Sequence, residues 1–426
     1  MTSAAPPRPS RRGWHMWWTT PALLTTAGLF RLSQNAAQTT FPLLGRHVLG
    51  LSAATVGVLG TLMGVAGVVA NLVVGAVLPT HRATNAVAAG SALLVLGVLA
   101  FADAGSLAAF AGAAVLLGLA GGATTPSLAT EAGRAPGPHR DRALARYTLV
   151  LSTSLAVGPL VETALLAASG QNLRFPFLMC AVLGSAGLAL GVRRRRPPEW
   201  DRPAAPPPGA TVPVRSGRRS APLGPFRLGP GRGLLASPAG RLALTVQLLY
   251  AVPFSAVTVF GALVARQDFG LSPAGAQLAF STFFVASLLG RLGMTLRSPV
   301  SAKHGLLLSA ALLTIAGVAV LSVASAPALL FLAMVMLGVP HGLTFPLALA
   351  LAAEAAGPEH LGAANASLFA STNVAAVIAP VVLGAVAGAS GYRVMELSVL
   401  APVGLFTAVL VLLVRQARQA ATLART

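Results

Sequence analysis

Arg31, Glu162 and His341 are ionisable residues that lie inside long apolar segments of this 426-residue chain. Ionisable side chains in such segments are costly and usually face a cavity or a partner. Arg31 could bind an anionic or polar group of a solute, whereas Glu162 and His341 could take up and release a proton. The alternatives are a structural pair between Arg31 and Glu162, snorkelling of the arginine towards a surface, and a histidine that is simply hydrogen-bonded in the core.

The segment around Arg31 is unusually polar. Arg31, Asn35 and Gln38 are spaced at i, i+4 and i+7, which places them on one face of an α-helix, and Gln34 lies beside them. A polar stripe next to an apolar one indicates a helix that lines a wet cavity. These four residues are therefore candidates for substrate binding, and hydrogen bonding between helices is the other role that such residues take.

Further candidates for substrate binding lie in later apolar segments. Gln247 and Tyr250 occur in the seventh segment, where Tyr250 could form an aromatic wall. His341 follows Pro340 in a segment whose two prolines free backbone groups that must find partners or a cavity. Asn373 in the eleventh segment is a candidate too, and it is equally suited to joining helices.

The elements that must position these residues follow from composition. Apolar residues make up 55% of the chain and charged residues only 9%, whereas a soluble domain carries about 25% charged residues. The bilayer is therefore the expected solvent, in which a spanning helix needs about 20 mostly apolar residues. Twelve segments are predicted to span: 20–44, 53–78, 85–103, 106–129, 146–168, 175–192, 240–264, 273–293, 305–323, 327–352, 362–388 and 394–414.

The distribution of Lys and Arg tests this topology. With the N-terminus in the cytoplasm, the cytoplasmic segments contain 25 of the 30 basic residues, the outer loops contain 4, and Arg31 lies within a span. This is the positive-inside bias of membrane proteins, so a multi-pass protein of the cytoplasmic membrane with both termini in the cytoplasm is predicted. The bias also accounts for the net charge of +20 without a nucleic-acid partner.

Residues 193–239 differ from the rest of the chain. They begin with four consecutive arginines, Arg193 to Arg196, and continue with a stretch rich in Pro, Ala, Gly and Arg. Their composition predicts a cytoplasmic linker with little fixed structure that contacts anionic lipid. The predicted organisation is then a cytoplasmic tail (1–19), a six-helix bundle (20–192), the linker (193–239), a second six-helix bundle (240–414) and a second tail (415–426).

The two halves align with each other along the chain. Residues 46–52 correspond to residues 266–272 at an offset of 220, and both stretches end in Gly-Leu-Ser. Later in each half, Gly170 corresponds to Gly391 at an offset of 221. One extra residue over more than 100 positions is a small drift. Two six-helix halves in the same orientation indicate an internal duplication.

The six-plus-six layout, the basic central segment and the Gly-Leu-Ser entry to the second span of each half resemble the major facilitator superfamily of transporters. The resemblance covers about Trp17 to Arg415. It implies an all-α membrane fold of twelve transmembrane helices in two pseudo-symmetric bundles. It also implies a substrate site between the bundles near the bilayer midplane, which is exposed alternately to each side.

Two local motifs extend the resemblance. The loops after the second span of each half, with Arg82 and Arg291, stand where the family has its gating motif, although the first loop lacks the motif's Asp. Gly158-Pro159, followed by Leu160, Val161 and Glu162, is similar to the Gly-Pro motif of the family's exporters. The resemblance implies gating or interface roles for Gly158, Pro159, Arg82 and Arg291, and it implies efflux.

The predicted function is secondary active transport of a small organic solute, with proton-coupled efflux by antiport as the leading interpretation. A proton-coupled importer or symporter, or a facilitator for a small metabolite, remains open. The sequence contains no Walker-type loop and no His-Glu-x-x-His motif, and its ten acidic residues are scattered, so no ATP-driven pump, metal site, cofactor or enzyme is predicted. The expected partners are the solute, protons and membrane lipids, and a monomer is expected.

Overall fold

The computed structural model describes residues 12–77, 83–133, 139–192, 231–296 and 303–423, and every regular element in these ranges is an α-helix. Arg82 and the linker residues 193–230 lie outside the described residues. The helices are α1 (Arg12–His47), α2 (Ala53–Val77), α3 (Ala83–Asp103), α4 (Leu107–Gly133), α5 (His139–Ala168), α6 (Phe175–Val192), α7 (Gly231–Ala236), α8 (Pro238–Gln267), α9 (Pro273–Leu296), α10 (Lys303–Val323), α11 (Pro327–Ser390) and α12 (Tyr392–Leu423).

Each of the twelve predicted spans coincides with helical residues of the structure. Among the described residues, eleven segments are long and apolar enough to cross a bilayer, and two of them, Pro327–Ala352 and Ala370–Ser390, belong to α11. The twelfth is α1, whose polar residues lower its hydropathy although it is 36 residues long. Several helices extend past the predicted spans, because a helical backbone continues into polar flanks that a search for apolar residues does not detect.

Helix α11 corrects one detail of the sequence prediction. The sequence predicts a break at 353–361, whereas the backbone remains helical from Pro327 to Ser390. The two ends of α11 nevertheless lie together, because Nη2 of Arg393 donates to the carbonyl of Ala324 at 3.3 Å. The chain therefore reverses direction between the two spans of α11. Good helix formers at the start of the predicted break, Ala353 to Ala356 with Glu354 among them, favour a helical backbone there, whereas Gly357 and Pro358 follow them as poor helix formers.

The spans alternate in direction, so the molecule has two ends that we name by their position. The proximal face carries the start of α1 and the end of α12, and the distal face carries the turns after α1, α5 and α8. All four arginines predicted for the outer loops lie at the distal face, where each donates to a backbone carbonyl: Arg46 to Leu51 (2.9 Å), Arg174 to Ala102 (2.8 Å), Arg266 to Leu271 (3.3 Å) and Arg393 to Ala324 (3.3 Å). These arginines therefore stabilise the distal turns through hydrogen bonds to backbone carbonyls.

The internal repeat is visible in the backbone. Gly50 and Gly270 have φ angles of 67° and 64°, and Gly170 and Gly391 have φ angles of 65° and 84°. Residues with side chains rarely adopt this left-handed region, so glycine is favoured at each turn. These are the pairs that the sequence aligned at offsets of 220 and 221, and each pair occupies the same turn of its half.

The same repeat governs helix packing. Gly118 and Gly122 of α4 lie against the backbone carbonyls of Met63 and Gly67 in α2, so closely that a Cβ atom at either glycine would overlap them. At an offset of 220, Gly338 and Gly342 of α11 lie equally close to the carbonyls of Phe283 and Ser287 in α9. Small residues allow such backbone contact between membrane helices. Each half is therefore built on one close-packed helix pair at equivalent positions.

Candidate functional site

Helix α1 presents Arg31, Gln34 and Gln38 to the interior of the molecule. Arg31 and Gln38 are half-buried and Gln34 is buried. Nη1 of Arg31 donates to Oε1 of Gln34 at 3.0 Å, and Nε2 of Gln38 lies 3.8 Å from the sulfur of Met63 in α2. The Gln34 amide fits against Gly121 of α4, where a Cβ atom would overlap it. Arg31, Gln34 and Gln38, at i, i+3 and i+7, thus form the polar face of α1, and Arg31 and Gln38 are its partly exposed members.

Asn35 lies on a different face of α1 from this row. Its Nδ2 atom donates to the carbonyl of Leu155 in α5 at 3.4 Å, and it is only 3% exposed. One helical turn further on, the hydroxyl of Thr39 contacts Oε2 of Glu162 at 2.9 Å. The sequence grouped Asn35 with Arg31, whereas the structure places Asn35 between helices of the first bundle.

Glu162 is buried inside the first half, with 1% of its surface exposed. Among the described residues, Thr39 is its hydrogen-bond partner, and Oε1 has none. Arg31 is eight residues before Thr39 on α1, which corresponds to about 12 Å along the helix axis. The structure therefore joins Glu162 to Thr39 and Arg31 to Gln34, and it does not pair the two charges with each other.

Gly158 and Pro159 are buried in α5, one turn before Glu162. A Cβ atom at Gly158 would lie 3.3 Å from Nδ2 of Asn35 and 3.6 Å from the carbonyl of Leu32. The Pro159 carbonyl accepts a hydrogen bond from Thr163 at 2.8 Å. The Gly-Pro pair thus brings α5 close to α1 at the level of Asn35.

The second half supplies an aromatic cluster around His341. The ring of His341 is stacked on Phe254 with centroids 4.7 Å apart and planes 5° apart, and Tyr250 lies 5.3 Å away. Nδ1 of His341 is hydrogen-bonded to Ser287 at 2.7 Å. Tyr250 is buried and donates its hydroxyl to the carbonyl of Leu337 at 2.7 Å. His341 and Phe254 remain half-buried, so part of this aromatic wall is accessible.

Gln247 and Asn373 lie further along the same half. Nε2 of Gln247, which is 8% exposed, donates to the hydroxyl of Thr372 at 2.7 Å and so joins α8 to the second span of α11. Asn373 is half-buried next to Thr372. Gln247 thus has a role in joining helices, whereas Asn373 has part of its surface accessible.

Arg291 stands where the two halves meet. Its Nη1 atom donates to the hydroxyl of Ser152 in α5 at 2.7 Å, across the boundary between α9 and the first half. The positive charges of Arg31 and Arg291 interact with each other and with His341. Tyr147 of α5, a neutral phenol near Arg31, donates its hydroxyl to the carbonyl of Thr125 at 3.1 Å. The interior therefore concentrates positive charge where polar residues of both halves converge.

At the distal face the two halves are closed against each other. Nε2 of Gln277 in α9 donates to the carbonyl of Thr39 at 3.2 Å, and the hydroxyl of Thr61 in α2 donates to the carbonyl of Val377 at 2.6 Å. Gly57 of α2 lies against the carbonyl of Pro380, where a Cβ atom would overlap it. These contacts join α1 and α2 to α9 and α11, which belong to the other half.

A titratable contact completes the distal closure. Nε of Arg266 donates to Nε2 of His47 at 2.9 Å, just beyond the first span. Partial burial lowers the pKa of His47 below its usual value, and the positive charges of Arg266 and Arg46 lower it further. His47 is thus held in the neutral form that can accept this hydrogen bond at neutral pH.

Four residues that the sequence does not single out lie at the contacts between helices described above: Thr39, Tyr147, Ser152 and Gln277. Thr39 stands at i+4 from Asn35, a spacing that could have identified it as a neighbour on the same helix face. The other three contact residues that are distant in sequence, so periodicity carries no signal for them. Among the described residues, no group of three His, Cys, Asp or Glu side chains is placed to hold a metal ion.

Two repeated six-helix halves, joined at the distal face and with polar contacts across their boundary, define an integral membrane protein of the transporter type. The chain belongs to the major facilitator superfamily. The sequence profile of that family matches residues 23–264 and again residues 243–425. Together the two matches span residues 23–425.

Solved structures share the fold at low sequence identity. The nucleoside transporter NupG has 13% identity and a TM-score of 0.70, covering 92% of this chain and 99% of its own. A bacterial homologue of the human lysosomal transporter Spinster has 14% identity and a TM-score of 0.68, with 94% and 97% covered. A POT family transporter in complex with a conjugated peptide has 12% identity and a TM-score of 0.73, with 93% and 96% covered. A search of the curated proteins found no match.

Proposed function

We propose that the chain is a secondary active transporter that carries a small organic solute across the cytoplasmic membrane by alternating access and exports it in exchange for protons. The observation that carries the proposal is the arrangement of polar residues between two repeated halves that are closed at the distal face. Arg31 and Gln38 contribute from the first half, and His341 and Asn373 from the second. A site built by both halves changes its exposure when the halves rock against each other.

The proposed orientation places the proximal face in the cytoplasm. The four arginines predicted for the outer loops lie at the distal face, whereas 25 of the 30 basic residues belong to segments predicted on the other side. The closed distal face is then the outer side of the membrane, and the contact of Arg291 with Ser152 joins the two halves nearer the cytoplasmic side. We propose that the chain acts as a monomer, without a cofactor, and leaves its solute chemically unchanged.

Glu162 is the proposed proton-coupling residue. A buried carboxylate without a cation beside it is costly, whereas the neutral acid is tolerated, so the distally closed state suits a protonated Glu162. An exporter of this kind would load a proton at Glu162 when its outer side is open. It would carry that proton through the closed state and release it inside, whereas solute binds at the face of Arg31. The similarity of Gly158-Pro159 to an exporter motif supports this direction.

Transport by purified protein in liposomes tests the proposal. Solutes that stabilise the protein in a thermal-shift screen would be loaded on one side of the membrane, with a pH-sensitive dye on the other. Solute-driven proton movement in the opposite direction supports antiport. Movement of solute and protons in the same direction would replace export by symport, and solute flux without proton movement would leave a facilitator.

A further inference from the structure

Arg31 is a cation in the interior with no anion to neutralise it among the described residues. Its hydrogen-bond partner is the neutral amide of Gln34. Arginine keeps its charge in proteins, so the cost of holding it inside a membrane protein must be offset by polar contacts or by an opposite charge. Arg31 is half-buried, so part of its side chain is accessible to an opposite charge.

The described carboxylates with buried oxygen atoms lie elsewhere. Glu162 is directed at Thr39 within the first bundle, and Glu396 lies at the distal face, where Asp268 and Arg393 interact with it. Arg291 adds a second positive charge near Arg31 and His341. The proposed substrate site therefore carries the positive charge of Arg31, which attracts anions and repels cations.

The second half supplies a flat aromatic surface. Phe254 and His341 are stacked face to face, both are half-buried, and Phe283 and Phe284 support them from the buried side. Phe254 corresponds to Gln34 at the repeat offset of 220, so the aromatic wall and the partner of Arg31 lie at equivalent depths in the two halves. A flat ring can extend such a stack, whereas a puckered ring of similar size makes poorer contact.

We infer that the solute is an organic anion with a flat aromatic or conjugated body. Its carboxylate or other oxyanion would pair with the Arg31 guanidinium, which can offer two parallel N–H donors, and its ring would lie against Phe254 and His341. This inference names the solute class of the proposed transporter and therefore rests on the proposed function. It makes Arg31 the charge-selecting residue and Phe254 the shape-selecting residue.

Binding to purified protein in detergent tests the inference with three probes that share a size. The probes are 2-naphthoate, the cation 2-naphthylmethylamine, and decalin-2-carboxylate, which keeps the carboxylate on a puckered ring. We expect 2-naphthoate to bind at least about tenfold more tightly than either of the others, which is a difference of about 1.4 kcal/mol. Equal binding of the amine and the naphthoate, or no binding of naphthoate, would overturn the inference.

Variants assign the two contributions. R31Q should bind naphthoate about tenfold or more weakly, and R31K should lose less affinity. F254L should reduce the difference in affinity between naphthoate and decalin-2-carboxylate. R415Q removes an exposed arginine at the proximal end of α12 and should change nothing. Size-exclusion profiles show which variants are folded, and undiminished naphthoate binding by folded R31Q contradicts the role of Arg31.

The two proposals fail in different ways. Arg31-dependent binding of naphthoate without any transport in liposomes would sustain the solute class and contradict the proposed function. Proton-coupled transport of a cation, with no binding of naphthoate, would sustain the transporter and contradict the solute class.

Discussion

The carboxyl of Glu162 contacts the hydroxyl of Thr39 across 2.9 Å inside the first half of the protein. The backbone carbonyl of the same threonine accepts a hydrogen bond from Gln277, which belongs to the second half. One residue of α1 thus touches both the proposed proton site and the distal closure. A change of charge at Glu162 has a direct physical route to the contact that holds the two halves together.

Replacing Glu162 by Gln should uncouple transport from protons. Gln keeps the size of the side chain and a hydrogen bond with Thr39, but it cannot release a proton, so solute-driven proton movement in liposomes should disappear. Solute exchange at equal pH should remain, because the glutamine resembles the neutral acid. E354Q removes an exposed carboxylate that is paired with Lys303 near the proximal face and serves as the control. Proton movement that persists in E162Q would remove Glu162 from the mechanism.

Replacing Gln277 by Leu should weaken the distal closure. The change removes the hydrogen bond to the Thr39 carbonyl from a fully buried position while keeping a similar volume. One such bond contributes about 0.5–1.5 kcal/mol, so the population of the closed state should fall by about two- to tenfold relative to the open state. Distances between spin labels at Gly105 and Ser325, exposed in distal loops of the two halves, measure this population.

Q416L provides the matched control, since Gln416 is exposed in α12 far from the distal face. The native Cys180 is buried, so cysteines introduced at exposed sites can be labelled selectively. An unchanged distal distance distribution in Q277L would mean that this hydrogen bond does not contribute to closure.

Replacing Gly122 by Ala should destabilise the first half. The added Cβ atom would overlap the backbone of Gly67, which cannot rotate away as a side chain could. Overpacking of this kind costs about 1–3 kcal/mol and should lower the temperature at which the protein unfolds in detergent. G112A is the control, because a Cβ atom at Gly112 meets nothing within 4 Å. Equal melting temperatures for the two variants would contradict the close packing of α2 and α4.

The contact between His47 and Arg266 should make the distal closure depend on pH. Burial and then Arg266 and Arg46 lower the pKa of His47, so it should titrate below the ordinary value of about 6.5 in NMR spectra of histidine-labelled protein. R266Q should raise the pKa of His47 without restoring it fully, since burial remains. Because the closed state holds the lower pKa, the contribution of His47 to closure should be present at neutral pH and be lost as the pH falls below about 6.5. A pKa of His47 that R266Q leaves unchanged would contradict the contact.

The sequence was sufficient to predict the two halves of the protein and the repeat that relates them. Apolar segments, basic loops and the repeat predict the halves, and Gly50, Gly170, Gly270 and Gly391 show the same pairing in their φ angles. Helix α1 illustrates the limit. Periodicity places Arg31, Asn35 and Gln38 on one broad face, but neighbouring helices decide which side chains remain accessible, so Asn35 contacts α5 while Arg31 stays half-buried.

Contacts between distant segments could not be predicted from spacing alone. Gln277 meets Thr39, and Arg291 meets Ser152, across boundaries that depend on how the halves are docked. The separation of Arg31 from Glu162 depends on depth along two helices that the sequence does not align with each other. These relationships are the ones on which coupling and solute choice are proposed to depend.

The most direct test of alternating access is to measure both faces of the protein at two pH values. One spin-label pair at Gly105 and Ser325 reports on the distal face, and another at Arg146 and Arg415 reports on the proximal face. The measurement is made in the H47Q variant, because protonation of His47 in acid would weaken the distal closure and oppose the effect of protonating Glu162. Acid is expected to shorten the distal distance and to lengthen the proximal one, and E162Q is expected to abolish the pH dependence of both distances. Distances that stay fixed at both faces in the protein with Glu162, or that lengthen together, would contradict alternating access driven by Glu162.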